Sequence, residues 1–104
     1  MALRHLIRPG QTVIVSPYTY YEVINMVICA GGRPVFADID PATCGMAVHR
    51  LEDRINSDTG AVIFSYMHGL SGDIEAIAEV CRSRGIALIE DAAQCLGGRV
   101  GGRY

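Results

Sequence analysis

The sequence predicts an α/β fold, a mostly parallel sheet flanked by helices. Two observations predict it. Short β-branched or apolar runs alternate with stretches of helical spacing. One of those runs, residues 61–65 (Ala-Val-Ile-Phe-Ser), is continuously apolar before its last residue, as a strand covered on both faces must be. Strands separated by helices make right-handed crossovers and so run parallel. At 104 residues, the chain holds one domain at most.

The elements follow in order. Residues 1–6 read as the tail of a helix, stopped by Pro9-Gly10. Residues 11–16 (Gln-Thr-Val-Ile-Val-Ser) are a β-branched strand closed by Pro17. Residues 20–30 have helical spacing: Val23, Ile24, Val27 and Ile28 share a face, and Gly31-Gly32 ends the helix. Residues 34–37 form a short strand, and 38–43 a turn in which Asp38 and Asp40 make Asx bonds. Residues 48–55 are a helix on Val48, Leu51 and Ile55. After the strand at 61–65, Asp73 is placed to cap a helix running to Arg84, with Ile74, Ile77, Ala78 and Cys81 inward. Gly85 ends that helix, 86–90 is the last strand, and a glycine-rich stretch, 97–102, follows.

Composition narrows the function. Half the residues are apolar and 19% are charged, which fits a packed core rather than disorder. The net charge of −2 and the lack of a basic stripe speak against a nucleic-acid partner. The uncharged run 23–32, like every other in the chain, is too short to span a bilayer, and the first residues carry no secretory signal pattern. Cys29, Cys44, Cys81 and Cys95 are widely spaced, without a metal-binding pattern, and suit free thiols in a reducing cytosol. All nine basic residues are arginine, so the chain contains no lysine amine.

In a parallel α/β sheet, ligands bind beyond the carboxyl ends of the strands. Those ends are residues 16–20, 37–38, 66–69 and 91–94, and most carry polar or aromatic groups a covered core would not need. Asp91 follows an apolar strand, where a carboxylate is costly unless a positive group meets it. A protonated heteroaromatic nitrogen would do so; capping the next turn or pairing with an arginine are the alternatives. Ala92 and Ala93 leave room for a flat ring, and Gln94 can hydrogen-bond a ring hydroxyl or stand as a surface amide. Tyr18 and Tyr20 can stack on a planar group or simply be half-buried. His68 can be an acid or base, or a loop histidine with no such role. Residues 97–102 precede no predicted helix, which weakens them as a phosphate loop, and no Gly-x-Gly-x-x-Gly follows the first strand.

Taken in order, Pro9-Gly-Gln-Thr-Val-Ile-Val-Ser-Pro-Tyr-Thr-Tyr20, Pro34-Val-Phe-Ala-Asp-Ile-Asp40 and Gly85-Ile-Ala-Leu-Ile-Glu-Asp-Ala-Ala-Gln94 resemble the DegT/StrS-type sugar aminotransferases of fold type I. The resemblance covers essentially the whole chain. It implies pyridoxal 5′-phosphate (PLP) as cofactor, with Asp91 on the pyridine nitrogen, Gln94 on the ring oxygen and Tyr20 stacked on the ring. It also implies a nucleotide-linked keto sugar and an amino-acid donor as substrates, and a homodimeric parent enzyme. Where the family has a histidine after its third strand, this chain has Tyr66, with His68 two residues on. The family's upstream phosphate-binding turn, its Schiff-base lysine and its small domain have no counterpart in these residues. The expectation is therefore the middle of a large domain, residues 1–104, inactive alone; a non-catalytic interaction module is the alternative.

Overall fold

The computed structural model describes residues 2–102. Met1, Arg103 and Tyr104 lie outside the described residues, and with them the first residue of the helix expected at 1–6. The elements are α1 (Leu3–Leu6), β1 (Thr12–Val15), α2 (Tyr21–Cys29), β2 (Arg33–Phe36), α3 (Val48–Arg54), β3 (Thr59–Ser65), a 3₁₀ turn (Met67–Gly69), α4 (Ile74–Arg84) and β4 (Ala87–Asp91). The four strands form one sheet in the order β2-β1-β3-β4, and every neighbouring pair is parallel.

The alternation along the strands builds two cores. Val13, Val15, Ala61 and Ile63 turn to one face and pack with Leu3, Ile7 and Val27 beneath α1 and α2. Ile14, Val62 and Phe64 turn to the other and pack with Leu51, Ile74, Ile77 and Cys81 beneath α3 and α4. All four β1 residues are buried, which explains why that strand reads as an unbroken apolar run. Gly32 lets the α2–β2 connection close tightly: a Cβ there would stand 2.8 Å from Ile7 Cδ1 and 3.2 Å from methyls of Val13 and Val27.

Several sequence expectations need correction. Ile28, expected to share a face with Val23, Ile24 and Val27, is 56% exposed while Val27 is fully buried. At 3.6 residues per turn Ile28 sits about 90° from the centre of the stripe made by Val23, Ile24 and Val27. Asp73 makes no side-chain cap for α4; its φ of −95° and ψ of 44° are not the extended backbone from which a cap reaches the first turn. The last strand starts and ends one residue later than expected. Gly85 takes the left-handed conformation (φ 65°), and the Ile86 N–H turns back to the Cys81 carbonyl at 2.9 Å, so Ile86 is spent on closing the helix. Asp91 is then the final residue of β4, in register with Ser65 of β3. In the turn at 38–43 the expectation holds at Asp40, whose Oδ1 accepts the Ala42 N–H at 2.8 Å, but not at Asp38, whose Oδ1 accepts the adjacent Ile39 N–H at 2.9 Å. Among the described residues, no helix is long and apolar enough to cross a membrane.

Candidate functional site

The strand order creates a switch point. From β1 the chain crosses to β2 on one side, and from β3 it crosses to β4 on the other. The carboxyl ends of β1 and β3 are neighbours there, and the connections leaving them diverge and open a crevice. The sheet brings residues 16–20, 66–69 and 91–94 to this one edge, so the expected site residues meet.

Hydrogen bonds tie the three segments together. Gln94 Nε2 donates to the Tyr20 hydroxyl at 2.7 Å, and Gln94 Oε1 accepts the His68 backbone N–H at 2.7 Å. The Tyr18 hydroxyl lies 2.7 Å from His68 Nε2. Deeper in the crevice, Thr19 Oγ1 and Ser65 Oγ share a bond of 2.9 Å, and Ser16 Oγ accepts the Tyr18 N–H at 3.0 Å. A small hollow between Tyr20, Ser65, Asp91, Ala93 and Gln94 marks where these groups converge.

Asp91 is half-buried, and its Oδ1 accepts one backbone N–H, that of Ala93, at 3.2 Å. Among the described residues it has no ion-pair partner, since the salt bridges join Arg33 to Asp58, Arg50 to Asp53 and Arg82 to Glu79. Of the two alternatives to a heteroaromatic partner, the turn contact is in place, while no ion pair with an arginine is formed among the described residues. No group of three metal-ligating side chains occurs among the described residues.

Strand pleating places Glu90 on the opposite face from Asp91. There it accepts a short hydrogen bond from the Tyr66 hydroxyl. Tyr66 is buried, edge-on to Phe64 with ring centroids 5.2 Å apart. Burial first, then the Glu90 carboxylate, pushes the Tyr66 phenol well above its ordinary value of 10.0. The stability this gives is complete below that ordinary value and is lost as pH rises through the folded value above it. Tyr66 should thus ionise late in an absorbance titration, well above the ordinary tyrosine value, and Tyr66→Phe should remove that late step. A titration with no late step, or one whose late step survives Tyr66→Phe, would contradict the assignment. The Tyr66–Glu90 and Ser65–Thr19 pairs were not anticipated from sequence. The period-2 alternation of Glu90 and Asp91, and the hydroxyl ending an apolar strand at Ser65, were the available signals.

On this geometry rests the comparison with known proteins. The sequence profile of the DegT/DnrJ/EryC1/StrS aminotransferase family matches residues 1–104. A pleiotropic regulatory protein of Geobacillus stearothermophilus is 36% identical over 95 residues, covering 91% of this chain and 26% of its own length. A UDP-N-acetyl-3-dehydro-alpha-D-glucosamine 3-aminotransferase of Acidithiobacillus ferrooxidans is 35% identical over 104 residues, covering 99% of this chain and 28% of its own. The crystal structure of the aminotransferase TlmJ from Streptoalloteichus hindustanus superposes with a TM-score of 0.91 at 36% identity, over 100% of this chain and 28% of TlmJ. The chain has the parallel, doubly covered sheet of a PLP-dependent aminotransferase large domain. It belongs to the DegT/DnrJ/EryC1/StrS aminotransferase family. It spans about a quarter of the length of the relatives it matches.

Proposed function

We propose that residues 1–104 form the ring-binding wall of a PLP-dependent aminotransferase that passes an amino group from an amino-acid donor to a nucleotide-linked keto sugar. The parent enzyme would be a cytosolic homodimer. The observation that carries this reading is the convergence of Asp91, Gln94 and Tyr20 on the switch-point edge of a parallel sheet. The donor set fits a flat, protonated ring: a carboxylate with no ion-pair partner among the described residues, two small residues, a side-chain amide and an aromatic face.

Each residue has a definable task. Asp91 holds the proton on the ring nitrogen, because its charge favours the cationic form of that atom. When bound, the cofactor then supplies an electron sink for the carbon that loses its proton. Gln94 offers an N–H to the ring oxygen, Tyr20 covers one ring face, and Ala92 and Ala93 admit the ring close to the backbone. No residue of this chain can attach the cofactor covalently through a side-chain amine, since the sequence has no lysine. That amine, and the proton transfers it makes, must come from elsewhere in the parent enzyme.

The absence of lysine also favours a second reading, in which the chain is a non-catalytic interaction module. One experiment tests the missing side-chain amine, and a second separates the two readings. Borohydride reduction of the chain with PLP should leave no pyridoxyl group on an internal side chain by mass spectrometry. A stoichiometric internal label would mean the chemistry is misassigned. A chimera placing residues 1–104 between a relative's flanking segments, including its cofactor-bearing lysine, should bind PLP and aminate the relative's sugar. A folded chimera that binds no PLP would favour the interaction module.

A further inference from the structure

His68 stands in a conformation that side chains avoid. Its φ of 58° and ψ of 18° lie in the left-handed region, inside the turn Met67–Gly69. Such outliers persist where surrounding contacts hold them, and they concentrate at functional sites. Two contacts hold this one. The ring meets the Tyr18 hydroxyl at 2.7 Å, and the backbone N–H meets Gln94 Oε1 at 2.7 Å. The first ties the turn to the segment leaving β1, and the second ties it to the segment leaving β4.

The second contact decides which way Gln94 points. A side-chain amide has an acceptor end and a donor end of nearly the same shape, and only the hydrogen-bond partners tell them apart. A backbone N–H can only donate, so the end of Gln94 facing His68 must be Oε1. The NH₂ is then the end left toward the site. One of its hydrogens goes to the Tyr20 hydroxyl, and the other remains for a ligand. Were the amide reversed, its NH₂ would face the His68 N–H, donor against donor.

We infer that His68 is a positioning residue: its left-handed backbone, anchored through its ring by Tyr18, orients the Gln94 amide so that the site receives a hydrogen-bond donor. The ligand atom recognised is therefore an acceptor, such as the ionised hydroxyl of a 3-hydroxypyridine. This inference rests on the cofactor reading only for the identity of that acceptor. The orientation itself rests on the hydrogen bonds.

Both parts can be read by NMR on the labelled 104-residue chain. The scalar coupling through the hydrogen bond from the His68 amide nitrogen to Gln94 Cδ should be present in the wild type. Tyr18→Phe removes the anchor and should weaken the coupling. Adding His68→Gly should restore it, because glycine enters the left-handed region without help and keeps its N–H. A merely structural Tyr18 would not be rescued by that glycine. Gln94→Glu keeps the acceptor and removes the donor, so it should keep the coupling. It should also weaken binding of pyridoxamine phosphate, titrated to millimolar concentration, by about tenfold, as expected when an anionic oxygen loses a donor and meets an acceptor. A well-dispersed spectrum without the coupling, or a Tyr18→Phe loss that His68→Gly does not rescue, overturns the positioning role. A coupling that persists while Gln94→Glu binds pyridoxamine phosphate as tightly as the wild type leaves the positioning intact and defeats the cofactor reading of Gln94.

Discussion

Asp91→Asn should lower turnover of the chimeric aminotransferase by about a hundredfold or more while leaving its fold unchanged. The amide is isosteric with the carboxylate and can still accept the Ala93 N–H, so the local turn survives. It carries no charge, and a neutral partner cannot keep a pyridine nitrogen protonated. Under a bound ring the half-buried Asp91 would be further desolvated, and losing one member of such an ion pair costs about 3 kcal/mol or more, equivalent to roughly a hundredfold in rate. Gln94→Ala should cost less, because it removes one neutral hydrogen bond of about 1 kcal/mol. The order of these effects is the check: in steady-state rates with a relative's keto-sugar substrate, Asp91→Asn should fall well below Gln94→Ala. Equal or reversed losses would mark Asp91 as a turn residue.

The largest expected effect on stability lies one strand away. Phe64→Ala should destabilise the chain by about 3–5 kcal/mol. Phe64 is 1% exposed and sits where two chain segments approach without side chains of their own. Its Cζ lies 3.1 Å from the position a Cβ would take on Gly45 and 3.3 Å from that on Gly72. The ring fills the space those glycines leave, so its loss opens a cavity that neighbouring side chains are too short to close. A loss of that size is a large share of the roughly 5–15 kcal/mol that holds a small domain together. It would also remove the edge contact to Tyr66, which begins the segment carrying His68. Leu96→Ala is the control: Leu96 is fully exposed at 100% and should give an unchanged urea midpoint. Similar midpoints for Phe64→Ala and the wild type would contradict the packing described here.

Much of this architecture was legible in the sequence because the strands carry their own signal. The apolar runs ending at Ser16 and Ser65 bury both faces, and no surface position interrupts them. Gly85 marked the end of α4 because its left-handed backbone suits glycine, and it ends the helix there in the structure. The misjudged positions are those decided by geometry across the chain. Ile28 has the right residue type but lies at the flank of its stripe, and only docking on the sheet shows which flank stays open. Asp73 is a favoured capping residue, yet the backbone leading out of Gly72 does not set it in a capping conformation. The strand order was not readable, because spacing predicts that strands are parallel but not which are neighbours. For the same reason the resemblance could name Asp91, Gln94 and Tyr20, while the roles of Tyr18, His68 and Tyr66 waited on the hydrogen bonds. The pairings join residues 50, 26 and 24 positions apart, and no local pattern marks such partners.

The central claim is that Asp91 keeps a ring nitrogen protonated. The ¹⁵N chemical shift of ring-labelled PLP bound to the chimera measures that proton directly. The shift should be that of a pyridinium with Asp91 in place and should move to that of a neutral pyridine in Asp91→Asn. A neutral-pyridine shift with Asp91 present, or a pyridinium shift that survives Asp91→Asn, would contradict the account.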